Sequence, residues 1–228
     1  MELRDYQVQA VEQAIKENTI INIPTGFGKT LIAVHVLQHF ARFGLVLFLV
    51  PTLELVKQQE TYLQEHGGET LPNVVGVQGG EKRLWEEETW KSITCRQALA
   101  LVGVHEVIRR ALERGMLRAK DISCAIFDEA HHSIGNHPYT AVAAILRPER
   151  ARLVGLTASY LHGSMRNGAL QRRREELERN LGGCVWSPSK LPPDKAYIYA
   201  PIVVPPEDDA SCTSHEAVEL QTQAAHLL

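Results

Sequence analysis

The stretch that most constrains this chain is Ile23-Pro24-Thr25-Gly26-Phe27-Gly28-Lys29-Thr30. The apolar run Ile20 to Ile23 before it predicts a buried strand, and the apolar spacing of Leu31 to Phe40 after it predicts a helix. A strand, a Gly-containing loop that ends in Lys-Thr, and a helix form the pattern of a phosphate-binding loop. The general pattern begins with Gly where this chain has Ile23. We interpret this as a variant, because Ile23 closes the predicted strand.

The residue types of this loop suit a triphosphate and its magnesium ion. Gly26 and Gly28 lack the Cβ that would keep the backbone from closing around phosphates. The amides of the loop and of the first helical turn then point at the phosphates, where the helix dipole favours negative charge. We expect Lys29 to bind the β- and γ-phosphates and Thr30 to offer its hydroxyl to Mg²⁺. The alternative is a loop that only connects strand to helix.

A second motif follows the apolar run Ile122 to Phe127, which predicts another buried strand. That strand delivers Asp128, Glu129 and His131 at its C-terminal end. In an open parallel sheet this edge is where ligands bind, and the predicted phosphate loop lies at the same edge. We therefore expect Asp128 to hold Mg²⁺ and Glu129 to orient and deprotonate the attacking water. An acid pair that is only solvated is the alternative.

The remaining apolar runs extend the α/β pattern. Further strands are predicted at Leu45 to Val50, Val74 to Val77, near Ser92 to Thr94, and at Arg152 to Leu156. A helix that carries Ala98, His105 and Leu112 is predicted next, and a charged helix at Leu170 to Leu181. The basic stretch Gln171 to Arg174 predicts a solvated helix face, with RNA contact as the alternative.

Size and charge set only broad limits. With 228 residues the chain is long enough for one well-buried α/β domain and a tail. A net charge of −3 does not indicate a polyanion partner, so any nucleic-acid contact must come from a local surface. The four scattered cysteines predict reduced thiols. No signal peptide or membrane span is predicted, and we expect a cytoplasmic protein, with the nucleus as the alternative.

The motifs, taken in this order, resemble the first RecA-like lobe of a superfamily 2 helicase. They are Gln7, Pro24 to Thr30, Val50-Pro51-Thr52, Asp128 to His131, and Leu156 to Ser159. Within the superfamily, Leu3 to Gln7, His137-Pro138-Tyr139 and Gly155 to Ser159 look most like Dicer and related helicases that sense double-stranded RNA. The resemblance implies a RecA-like P-loop fold with a mainly parallel sheet and helices on both faces. It assigns 1–181 to this lobe and 182–228 to a Pro-rich exit segment toward a second lobe.

The resemblance also implies roles for single residues. The residues implied to contact ATP are Arg4, Gln7, Pro24, Thr25, Gly26, Phe27, Gly28, Lys29 and Thr30. Those implied to couple nucleotide state to RNA are His131, Thr157 and Ser159, and those implied to grip the RNA backbone are Thr52, Thr94 and Gln97. The residues alone leave alternatives open, since Gln7 could be a surface amide and the two hydroxyls ordinary turn residues. The sequence departs from the family at Arg96, within the RNA-contacting segment, and at Ala130, where Dicer relatives often have Cys.

By resemblance, the chain binds ATP and Mg²⁺ and acts on double-stranded RNA, with DNA as a less favoured partner. Hydrolysis needs a second RecA-like lobe in cis or in trans, because that lobe supplies an arginine finger worth about 10³ to 10⁵ in kcat. The isolated lobe should therefore be inactive or very slow. Two alternatives stay open: a non-catalytic, nucleotide-dependent binding module, and a DNA-directed translocase of the same superfamily.

Overall fold

The buried apolar runs become the strands of one sheet. The computed structural model describes residues 3–80, 82–95, 99–158 and 167–191. The strands in this part of the chain are β1 (Thr19–Asn22), β2 (Leu45–Val50), β3 (Asn73–Val77), β4 (Leu99–Val104), β5 (Ile122–Phe127), β6 (Arg152–Thr157) and β7 (Cys184–Trp186). They lie in the order β3-β4-β2-β5-β6-β1-β7, and each neighbouring pair is parallel. The predicted parallel sheet is confirmed.

Helices cover both faces of the sheet, as predicted. Within the described residues they are α1 (Asp5–Lys16), α2 (Lys29–Phe40), α3 (Leu53–His66), α4 (Glu87–Thr94), α5 (His105–Glu113), α6 (Pro138–Leu146) and α7 (Asn167–Leu181). Successive strand residues point to opposite faces. Ile21 and Phe48 therefore pack in the core under α1 to α3, whereas Ile20 and Leu47 pack in the core under α4 to α7.

Strand β6 lies between the strands that lead into the two motifs. Its Gly155 is in register with Ile20 of β1, and its Val154 with Ile126 of β5. Because all these strands are parallel, their C-terminal ends meet at one edge of the sheet. The phosphate loop, the acid pair and the end of β6 are thereby placed side by side.

The prediction of a strand near Ser92 to Thr94 is wrong. These residues belong to α4, which buries Trp90 and leaves Glu87 and Glu88 exposed. The strand is β4, which forms the first part of the segment predicted as helical, and α5 begins only at His105. When every residue of a run is apolar, its hydrophobic pattern does not distinguish a buried strand from a buried helix. Pairing with β2 and β3 makes it a strand.

Other predictions concern the ends of the chain and its cysteines. Cys124 is buried, and Cys95 and Cys184 are exposed and free. No helix in the described segments has the length and apolar character needed to cross a membrane. The described residues belong to one compact unit, Met1–Lys195, and a second unit, Ala196–Leu228, lies outside them. The predicted division at residue 181 stays a prediction, and Cys212 and the segments predicted beyond 191 also lie outside the described residues.

Candidate functional site

The phosphate loop turns sharply before α2. Gly26 and Gly28 both have left-handed backbone angles, with φ of 83° and 77°. A Cβ added at Gly28 would also collide with Nε2 of Gln7, so both the backbone angle and the close approach of Gln7 favour glycine at this position. Helix α2 begins at Lys29, and the first N–H groups of a helix have no partner inside it. The loop therefore presents backbone donors and a positive helix end where the sequence predicts phosphates.

Side chains of helix α1 form hydrogen bonds to this loop and hold it in place. The Tyr6 hydroxyl donates to the carbonyl oxygen of Phe27 at 2.8 Å, and Nε2 of Gln7 donates to the same oxygen at 3.2 Å. Oε1 of Gln7 accepts the backbone N–H of Arg4 at 2.9 Å. Gln7 is only 4% exposed, so it is not a surface amide. Its described contacts support the loop, and the predicted adenine contact of Gln7 and the exposed Arg4 stays a prediction.

Lys29 connects the loop to the acid pair. Its Nζ donates to the carbonyl oxygen of Ile23 at 3.2 Å. Burial lowers the pKa of Lys29, and attraction to Glu129 and Asp128 opposes that shift. The ammonium group thus lies within electrostatic reach of both carboxylates. The structure brings the two predicted motifs into one site.

Asp128 is held with its carboxylate partly buried. Its backbone N–H donates to Leu49 at 2.9 Å, and its carbonyl oxygen accepts the Tyr139 hydroxyl at 2.8 Å. Burial and the neighbouring Glu129 charge raise the pKa of Asp128 to about 6. A divalent cation would favour the ionised form, because it offsets both effects.

The donor set fits magnesium rather than an all-protein metal site. No cluster of three or more His, Cys, Asp or Glu side chains suited to a metal occurs among the described residues. Mg²⁺ in nucleotide sites is usually bound by one or two protein groups together with phosphate oxygens and water. Asp128 and the Thr30 hydroxyl can supply the protein groups.

Glu129 has an unusual backbone and a low pKa. Its φ and ψ are both 49°, in the left-handed region that non-glycine residues seldom adopt. A side-chain hydrogen bond from His131 is the main cause that lowers the pKa of Glu129, and burial opposes it. Nδ1 of His131 lies 3.2 Å from Oε2 of Glu129. An ionised carboxylate only accepts hydrogen bonds, so Nδ1 must carry the hydrogen for this contact. Glu129 is therefore ionised and oriented at neutral pH, as a general base requires.

The end of β6 contacts both motifs. Oγ1 of Thr157 lies 3.2 Å from Nδ1 of His131, and both side chains are buried. The carbonyl oxygen of Thr157 accepts the backbone N–H of Ile23 at 3.0 Å. The structure thus brings together His131 and Thr157, two of the predicted coupling residues. Ser159 lies outside the described residues.

The predicted RNA contacts do not lie together. Thr52 is exposed at the start of α3, on the edge that carries the phosphate loop. Thr94 lies on α4, where its hydroxyl donates to the Trp90 carbonyl at 2.8 Å. It lines a groove with Leu45 and Leu99, the first residues of β2 and β4, and so lies at the opposite edge. Gln97 lies outside the described residues.

The sequence did not predict that His105 lies at the edge of the sheet that carries the site. It is the first residue of α5, directly after β4, and its ring lies 4.7 Å from that of His137. The apolar run Leu99 to Val104 was the signal that could have located it, because a helix start follows a strand end in this fold. His105 is half-buried, as expected for a packed histidine.

Comparison with known proteins gives three kinds of match. The family profile described as the type III restriction enzyme, res subunit, matches residues 1–161. Dicer-like protein 1 of Aspergillus clavatus is 33% identical over 175 residues, which cover 68% of this chain and 11% of that protein. Endoribonuclease Dicer homolog 2 of Arabidopsis thaliana is 32% identical over 199 residues, which cover 81% of this chain and 14% of that protein.

The solved structure of the Pyrococcus furiosus Hef helicase domain matches with a TM-score of 0.68 and 28% identity. The match covers 82% of this chain and 39% of the Hef chain. This chain therefore spans only a small part of the curated relatives and less than half of the Hef chain.

Proposed function

Because the chain belongs to the type III restriction enzyme res-subunit family of superfamily 2 helicase domains, we propose that it is the ATP-binding lobe of a Dicer-like RNA helicase. The likeness to the Hef helicase domain confirms the RecA-like fold predicted from the motifs. In the proposal, the lobe binds Mg²⁺-ATP and, with a second RecA-like lobe, hydrolyses ATP in a step coupled to double-stranded RNA. The proposal is supported above all by the parallel sheet, which places the phosphate loop and the acid pair at one edge, with Lys29 within electrostatic reach of Glu129 and Asp128.

The loop residues hold the triphosphate. The backbone amides at the start of α2 would bind it, and Lys29, whose Nζ donates to the Ile23 carbonyl in this structure, would bind the β- and γ-phosphates. Thr30 and Asp128 would hold Mg²⁺, which supplies charge neutralisation at the phosphate oxygens when bound. Glycine at position 28 lets Gln7 reach the Phe27 carbonyl and keep the loop in this shape.

Glu129 activates the water. As an ionised carboxylate it accepts a proton from the water while the water oxygen attacks the γ-phosphorus, and the bond from that phosphorus to the β,γ-bridging oxygen breaks, which releases ADP and phosphate. Nδ1–H of His131 donates to Oε2 of Glu129 and limits the rotation of this carboxylate. Oγ1 of Thr157 lies 3.2 Å from the same imidazole nitrogen. A change in the position of the acid pair can therefore reach the end of β6 through His131.

The RNA part of the proposal is supported by the relatives and by one surface. The matched curated relatives carry the names Dicer-like protein and endoribonuclease Dicer homolog. Thr52 is exposed at a helix start on the site edge, where backbone amides can bind a phosphate of a nucleic-acid strand. The position of Thr94 at the opposite edge does not favour its taking part.

The test supplies a second RecA-like lobe of the family and measures ATP turnover with and without duplex RNA. Lys29→Ala should abolish nucleotide binding, and Glu129→Gln should keep binding while turnover falls by about 10² or more. The exposed α3 residues provide matched controls, since Lys57→Ala and Glu65→Gln should leave both quantities unchanged.

Three outcomes would contradict the proposal in different ways. A lack of stimulation by duplex RNA rejects the RNA helicase assignment. Equal or stronger stimulation by duplex DNA favours a DNA-directed translocase. Normal turnover by the Glu129→Gln variant shows that another group activates the water.

A further inference from the structure

Helix α7 uses its charged residues in two different ways. On its outer side, Arg174 donates to Glu178 at 3.0 Å and Gln171 donates to Glu175 at 3.0 Å, both within the helix. These pairs match the solvated face predicted from the sequence. Three other polar residues of α7 are spaced so that they lie on one face of the helix. They form hydrogen bonds to a different segment of the chain.

That segment is the turn that follows the acid pair, residues 131–135, called here the acid turn. Arg173 donates to the carbonyl oxygen of His131 at 3.4 Å. Three residues further along α7, Glu176 accepts the backbone N–H of Gly135 at 2.9 Å. One turn later, Nδ2 of Asn180 donates to the carbonyl oxygen of Ser133 at 2.9 Å. Three backbone groups of the acid turn are therefore satisfied by a single helix face.

Apolar packing reinforces this contact. Leu177 and Leu181 of α7 are buried in the same core as Ala130, the residue between Glu129 and the acid turn. A Cβ added at Gly155 would meet both Ala130 and Leu181, so these two side chains lie together over the same point of β6. The acid turn is thus held by α7 on one side and lies on β6 on the other.

The acid turn begins with the residue that orients the water-activating carboxylate. His131 carries the contacts to Glu129 and to Thr157. Its own carbonyl oxygen is the one bound by Arg173, whose Nε is buried without a hydrogen-bond partner within the described residues. Burying such a donor is unfavourable, so other contacts must hold the Arg173 side chain in this position.

We infer that Arg173, Glu176 and Asn180 are positioning residues, which hold the acid turn so that His131 keeps Glu129 in the orientation needed for water attack. The inference rests on the proposed function. It gives α7 a role in turnover rather than in nucleotide affinity, because none of the three residues belongs to the phosphate loop. It also replaces RNA contact as the role of Arg173.

The experiment compares two double variants of identical composition on the same helix. The first, Arg173→Ala with Glu176→Ala, removes two contacts to the acid turn. The second, Arg172→Ala with Glu175→Ala, changes two exposed residues outside it and keeps the same net charge. Both are assayed with the second RecA-like lobe and duplex RNA for kcat and KM. Amide hydrogen exchange of the acid turn is measured on each, with Glu176→Gln as a conservative third variant.

The inference predicts that kcat of the first double variant falls by about tenfold while KM for ATP stays within about twofold of the wild type. Amides of the acid turn should exchange faster in this variant, and the second double variant should match the wild type. Glu176→Gln should fold normally and lie between the two in kcat.

Unchanged kcat with faster exchange of the acid turn would overturn the inference. A loss of nucleotide affinity in parallel with kcat would also overturn it, because that pattern is expected from general destabilisation. A wild-type chain that shows no turnover with the second lobe would reject the proposed function itself, and this inference with it. That failure is visible in the wild-type measurement alone.

Discussion

Gly155 lies in β6 at the point where the acid motif and α7 come closest to the sheet. A Cβ at this position would be 2.8 Å from the Cβ of Ala130 and 3.0 Å from Cδ1 of Leu181. It would also be 3.4 Å from Cγ1 of Ile20, which is ordinary contact. Gly155→Ala therefore tests whether the acid motif needs this close approach.

The cost of the substitution follows from these distances. Carbon atoms pack at ~3.5–4.0 Å, so Ala130 must move away by about 0.7 Å or more. Leu181 can rotate its terminal methyl, but the Ala130 Cβ is attached directly to the backbone beside Glu129. Overpacking of this kind costs ~1–3 kcal/mol, and reduced freedom of the unfolded chain returns ~0.4–1 kcal/mol. We expect a net destabilisation of about 1.3 kcal/mol, the difference between the midpoints of those two ranges.

Urea unfolding followed by tryptophan fluorescence measures this free energy. Gly80→Ala is the control, because a Cβ at Gly80 meets nothing within 4 Å. Combining Gly155→Ala with Ala130→Gly restores the space and should recover at least ~0.5 kcal/mol as a coupling energy. An unchanged unfolding free energy for Gly155→Ala, or additive effects in the double variant, would refute the reasoning.

Two further predictions concern α6, which packs behind the acid pair. Tyr139→Phe removes the hydroxyl that donates to the Asp128 carbonyl oxygen and lies 3.1 Å from that of Leu49, and should lower the free energy of unfolding by about 1–2 kcal/mol in urea titrations. An unchanged value would contradict the hydrogen bonds. Burial lowers the pKa of His137 from 6.5 to about 4, and its Nδ1 accepts the Tyr139 N–H, which only the neutral ring can do. Its stabilising contribution is therefore complete above pH 6.5 and is lost as the pH falls toward 4. His137→Asn, which keeps an acceptor, should flatten this decline, whereas the control His66→Asn should not.

The strands were predictable where burial on both faces left a clear run. Leu45 to Val50 and Ile122 to Phe127 coincide with β2 and β5, because helices cover both faces of these central strands. The phosphate loop and acid pair were predictable because their chemistry requires particular residue types at strand ends. Their meeting at one edge then follows from the parallel sheet.

Other features depend on contacts that spacing does not show. The run Leu99 to Val104 becomes a strand because it pairs with β2 and β3, which the sequence pattern does not show. The predicted strand was therefore placed too early in the chain, at Ser92 to Thr94, and Thr94 lies in α4 instead. Arg173 belongs to a basic stretch that predicts a solvated face, yet it turns inward because a backbone carbonyl of the acid turn lies within its reach. The sequence singles out Gln7 through the resemblance as a residue that contacts ATP, and only the fold shows that its side chain is buried against the phosphate loop.

The phosphate loop, the acid motif and α7 all contact strand β6. Its Thr157 carbonyl holds the backbone at the start of the phosphate loop, and its Thr157 hydroxyl reaches His131. Two residues earlier, Gly155 accommodates both Ala130 and α7. We therefore expect a shift of the phosphate loop to act on the acid turn through the strand against which α7 packs. Since a packed sheet transmits such shifts with little compression, nucleotide state and the orientation of Glu129 should change together.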